Sequence, residues 1–97
     1  MIKIPKFIKI GGRQVPVKRL ASSDCGGHGG SFSAWTGVIK IANDPDYPQD
    51  EIEVTLIHEI LECLNARYEY NLSHPTIMSL AENLYQTLKD WGTNEIT

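Results

Sequence analysis

From Gln49 to about Arg67 the chain contains neither glycine nor proline, and Val54, Leu56, Ile57, Ile60, Leu61 and Leu64 fall on one continuous arc at the helical period. That stretch reads as a long amphipathic helix, and the rest of the chain must cover its apolar face. Asp44-Pro45-Asp46-Tyr47-Pro48 just before it is a turn cluster that suits a helix start. A second helix is predicted from the Ser73-His74-Pro75 step, with Ser73 as N-cap and Leu72 and Ile77 in hydrophobic-staple positions. Its inner stripe is Ile77, Leu80, Ala81, Leu84, Tyr85 and Leu88, and Gly92 just past Trp91 is its stop.

The first half of the chain follows a different period. In Ile2-Lys3-Ile4 and Ile8-Lys9-Ile10 the apolar residues fall two apart, the pattern of a half-buried strand. Gly11-Gly12 supplies a tight turn, and Val15 and Val17 resume the alternation in a return strand. Pro5 and Pro16 lack a ladder donor, which suggests edge positions or bulges. Ser22 to Ser33 has no periodicity and reads as a glycine loop. Ala34 to Ala42 forms a third strand or a second hairpin, with Gly37 as a bend. Strands first and two helices after predict an α+β domain, a mostly antiparallel sheet of three to four strands under two packed helices.

At 97 residues the chain supports one core, so any site must be built from that core. A net charge of −3 with scattered lysines and arginines provides no basic stripe to follow a phosphate backbone, so nucleic acid is not expected as a partner. No apolar run is long enough to cross a bilayer, and the first residues alternate lysine with isoleucine instead of forming a signal-peptide block. The expected location is the cytoplasm. Cys25 and Cys63 are then reduced thiols. A frayed tail is expected from Gly92.

The chemistry concentrates in His58-Glu59-Ile60-Leu61-Glu62. His58 and Glu62 lie one helical turn apart and can reach the same ion. Glu59 is turned away from that pair by a fraction of a turn, close enough to take a proton from water on the metal as a general base. A catalytic zinc needs three protein ligands and an open fourth position. His74 is the best third ligand: it shares the arc of Ile77, Ala81 and Tyr85, and a short connection brings the second helix back beside the first. The helix N-terminus disfavours imidazolium and so favours the neutral ring that a metal requires.

HEILE followed by His74 resembles the HExxH-then-Glu signature of gluzincin metallopeptidases, with the second histidine and the distal glutamate exchanged. Thr55 to Leu88 is also similar to small phage-encoded metallopeptidases of the repressor-cleaving type. The resemblance implies a single zincin-like domain, a zinc cofactor, a peptide or protein substrate and, for a phage protein, the host cytosol. It also implies a strand lining the substrate cleft, here the one ending near Ile41, to which an extended peptide could add.

Other readings remain open. His58, Glu62, Glu51, Glu69, Asn65 and Thr55 share an arc that would also serve as a plain solvated face. Cys25, His28, His58 and Cys63 make a nominal Cys2His2 set, although Cys63 lies toward the apolar side. His28 and Tyr85 are further groups that could touch substrate or transition state. The expected function is zinc-dependent hydrolysis of peptide bonds; the alternative is a catalytically inactive zinc-containing binding or regulatory module of phage origin.

Overall fold

Gly11 and Gly12, at φ 59° and 79°, reverse the chain between β1 (Phe7–Ile10) and β2 (Arg13–Leu20). This hairpin stands where the paired glycines place it, because only glycine takes two successive left-handed conformations without a steric penalty. The structure is a computed structural model that describes residues 3–26 and 29–93, the side chains of 92 and 93 excepted. Ile10, Val15 and Val17 are buried, as the alternation predicts, whereas Lys3 to Pro5 precede the strand instead of forming part of it. Ile2 lies outside the described residues.

The glycine-rich stretch is more ordered in pattern than its composition suggests. Ser22–Cys25 forms a 3-10 turn, held by Asp44, whose carboxylate accepts from the Ser22 N–H at 2.9 Å and from its hydroxyl at 2.7 Å. Gly30–Ser33 is a strand, β3, and it pairs antiparallel with β4 (Val38–Ala42) as the second hairpin, with Gly37 at φ 71° in the turn. The expected loop therefore ends before Gly30, and Ala34 to Gly37 are turn, not strand. Periodicity missed β3 because Gly30-Ser31-Phe32-Ser33 carries one large apolar side chain.

The sheet order is β1-β2-β4-β3, with β2 and β4 parallel and the outer pairings antiparallel. β2 is shared end to end: Arg13 to Pro16 pair with β1, and Val17 to Leu20 pair with β4. Val17 N–H donates to the Lys6 carbonyl at 2.8 Å, so Pro16, the neighbouring residue, turns its missing donor away from β1, at a point where β4 has not yet begun. The domain is thus α+β with a mixed sheet.

Two helices follow: α1 (Gln49–Tyr68) and α2 (His74–Thr93). α1 packs against β3, β4 and α2 together, so its apolar residues are spread over more than one face. Its buried residues are Ile52, Glu53, Leu56, Glu59 and Cys63, with Ile60 and Leu64 packed at the margin. The core-facing arc is therefore centred about one residue away from the predicted one; Val54, Ile57 and Leu61 are only half-buried. Among the described side chains of α2 only Ile77 and Ala81 are buried and Tyr85 is half-buried, while Leu80, Leu84 and Leu88 are exposed, so the inner stripe is narrower than predicted. α2 also continues through Gly92 to Thr93. An interior glycine costs only about 1 kcal/mol, too little to stop a helix by itself.

β3 approaches α1 so closely that a Cβ at Gly30 would stand 2.6 Å from Thr55 Cγ2 and 2.9 Å from the Lys40 carbonyl oxygen. Gly30→Ala should therefore destabilise the chain by roughly 1–3 kcal/mol by pushing β3 off the helix. Denaturant unfolding of the variant checks this, and unchanged stability would contradict the tight approach.

Candidate metal centre

Pro48, extended at φ −61° and ψ 145°, caps α1 without a side-chain bond, and Asp50 and Glu51 complement the helix dipole in the first turn. From there α1 runs unbroken past His58, Glu59 and Glu62. At its far end Glu69 at φ 53° and Asn71 at φ 60° both take the left-handed conformation, and two such residues fold the connection back on itself. Asn65 holds the reversal: its side-chain carbonyl accepts from the Leu72 N–H at 2.8 Å and its amide donates to the Leu72 carbonyl at 3.3 Å. Ser73 then caps α2, its hydroxyl accepting from the Thr76 N–H at 3.3 Å. His74 is the first residue of α2, placed back along α1 beside His58.

The two imidazole rings lie 5.1 Å apart between centroids, at an interplanar angle of 66°. One ligand atom from each of His58, Glu62 and His74 lies within 4.8 Å of the others, and this group could hold a metal ion. Donors around a tetrahedral ion at about 2.0–2.1 Å stand about 3.3 Å from one another, so modest side-chain rotation closes the site. The donor set itself, two imidazoles and one carboxylate, is of the kind that leaves a fourth position open. The sequence thus identifies all three residues that converge. The His74 ring, however, is exposed and not inserted in the apolar seam that its shared arc with Ile77, Ala81 and Tyr85 predicts; its position follows from the Asn65 clamp. Asn65 itself was legible only as one more polar residue on the arc of His58 and Glu62.

α1 carries two buried glutamates with opposite surroundings. Glu53 is satisfied: Gln49 Nε2 donates to it at 2.9 Å and the Tyr85 hydroxyl at 3.0 Å. Glu59 is 6% exposed, and among the described residues no group donates a hydrogen bond to it. No fully enclosed polar atom lacks a partner among those residues, so the Glu59 oxygens reach outward into the cleft they line. Burial first, then the neighbouring charge of Glu62, pushes the Glu59 carboxyl up to about 7. At His58 burial dominates the opposing pull of Glu62, and with His74 nearby it lowers the ring below its usual range, keeping it neutral and ready to ligate.

The cleft holds about 500 Å³ between α1, α2 and the start of β3, with Gly30, Ser31 and Phe32 along one wall. The strand beside the cleft is therefore β3, at the sheet edge, and not the one ending near Ile41, since β4 is enclosed between β2 and β3. Tyr85 is committed to Glu53 and stands off the cleft lining. His28 lies outside the described residues. Cys25 and Cys63 are buried free thiols, and neither belongs to the converging group; Cys63, fully enclosed, packs as a small hydrophobe. No helix among the described residues is long and apolar enough to cross a membrane.

Compared with protein-family models, curated proteins and solved structures, the chain matches none, so the functional reading rests on this geometry.

With metal chelated, Glu59 favours its neutral form in the folded chain, so its contribution to stability is fully present below 4.5 and is lost as pH rises through about 7. His58 acts in the opposite sense, losing its contribution as pH falls below 6.5. Glu59→Gln should therefore stabilise the chelated protein at pH 8, by up to about 3 kcal/mol, and have little effect at pH 4.5. Urea unfolding at the two pH values reads the difference, and equal effects at both would contradict the assigned burial.

Proposed function

We propose that this chain is a zinc-dependent hydrolase of peptide bonds. The observation that supports it most is Glu59: a buried carboxyl with no hydrogen-bond donor among the described residues, lining an open cleft beside three convergent ligands. A structural zinc site is closed by four protein ligands and has no use for such a group. When bound by His58, Glu62 and His74, zinc would supply Lewis acidity, lowering the pKa of a water far below its bulk value, to roughly 7.

The chain's own residues account for the rest. Glu59, a carboxylate in the loaded cleft, takes the proton of the attacking water and passes it to the leaving amine. Among the described residues no strand pairs with the outer edge of β3, so an extended peptide can hydrogen-bond to it and lie across the cleft. Two imidazoles and a carboxylate also suit iron(II) or cobalt, and the neutral, non-redox character of hydrolysis favours zinc among them.

Glu59→Gln should keep stoichiometric zinc and lose roughly 10²–10⁴-fold in kcat on a peptide substrate. His74→Ala should lose the zinc itself, read by elemental analysis of protein purified without added metal. Full hydrolysis by the Glu59→Gln protein would overturn the mechanism.

A further inference from the structure

The cleft has a charge that the hydrolytic chemistry does not use. Besides Glu59 and Glu62 it is lined by Glu51 and Glu82, and no lysine or arginine among the described residues lines it. The cations stand elsewhere: along the first two strands, on β4 at Lys40, at Arg67, whose guanidinium donates to the Ile10 carbonyl, and at Lys89 over the Tyr85 ring. Glu51 and Glu82 are both exposed, and neither has an ion pair or side-chain hydrogen bond among the described residues. A divalent ion balances the charge of Glu62 and Glu59, so the two outer glutamates leave the loaded cleft negative.

Their placement is directional. Glu51 precedes His58 by two helical turns, about 10 Å, and Glu82 follows His74 by about 12 Å. Because α1 and α2 run antiparallel, with Tyr85 against Glu53 and His74 against His58, both displacements point toward the same end of the cleft. β3 begins at that end, where Gly30 faces Thr55. A strand advances about 3.3 Å per residue, so 10–12 Å corresponds to about three residues of extended peptide.

Resting on the hydrolytic reading above, we infer that Glu51 and Glu82 form a subsite for a lysine or arginine side chain about three residues from the scissile bond, making basic peptides the preferred substrate class. Glu59, 6% exposed and without a hydrogen-bond donor among the described residues, lines the same cleft and belongs to the hydrolytic centre that the subsite would serve. Each exposed pair contributes at most about fivefold, so the two together give roughly tenfold.

The test uses peptides of alanine and serine carrying one lysine, moved residue by residue, against the same peptide with glutamine. The zinc-loaded wild-type chain should cut the best lysine peptide about tenfold better in kcat/KM than the glutamine peptide, with the ratio shrinking as salt is added. Glu51→Gln with Glu82→Gln should bring the ratio to about one, and Glu51→Lys with Glu82→Lys should shift preference to a glutamate peptide. Fluorescence anisotropy of the labelled peptides on zinc-loaded Glu59→Gln protein measures the same preference without turnover. Cleavage with no lysine preference, or a ratio unchanged in the double variant, overturns the inference and leaves the hydrolytic reading standing. Preferential lysine-peptide binding without any cleavage by the wild type overturns the hydrolytic reading and leaves the acidic subsite standing. Neither cleavage nor preferential binding overturns both.

Discussion

The pair of hydrogen bonds between Asn65 and the backbone of Leu72 is the constraint on which the site depends. A side-chain amide here takes the place of a neighbouring strand, satisfying both polar groups of one residue in an irregular connection. Without it the connection that leads from α1 back to His74 loses the two bonds that tie it to the helix. With it, a ligand distant in sequence arrives beside two ligands on one helix face, and the left-handed Glu69 and Asn71 make the reversal sharp enough.

The second constraint is the position of α1 between the sheet and α2. A helix covered on two sides has little solvated face left, so its polar residues either find partners inside or face the cleft. Glu53 does the first and Glu59 the second. The cost of holding a carboxyl on a largely buried residue beside Glu62 shows in its raised pKa, and it is a local destabilisation that the surrounding core offsets. The closely packed β3 forms a wall of the cleft, and among the described residues no strand pairs with its outer edge, so the element that closes the core on this side also borders the cleft.

How much of this the amino-acid sequence shows depends on how local each feature is. The β1–β2 hairpin, both helices and the turn before α1 are legible because glycine pairs, proline and a 3.6-residue period are local signals. The convergence of His58, Glu62 and His74 is legible from spacing on one helix plus a short connection. β3 is not, since Gly30-Ser31-Phe32-Ser33 has no alternation and is a strand only because β4 and α1 lie against it. The width of the buried stripe on α2 is not legible either: Leu80, Leu84 and Leu88 have the right period, but α1 covers only the side of Ile77 and Ala81. Asn65 and Tyr85 acquire their roles from partners seven and thirty-two positions away, beyond any periodic pattern.

The central claim is that one cation is held by three named side chains, and zinc-edge anomalous diffraction from crystals of the zinc-loaded chain tests it most directly. A single peak of full occupancy within about 2.0–2.2 Å of a His58 nitrogen, a His74 nitrogen and a Glu62 oxygen is the expected result. A zinc peak elsewhere, or none at this position with saturating metal, would contradict the account.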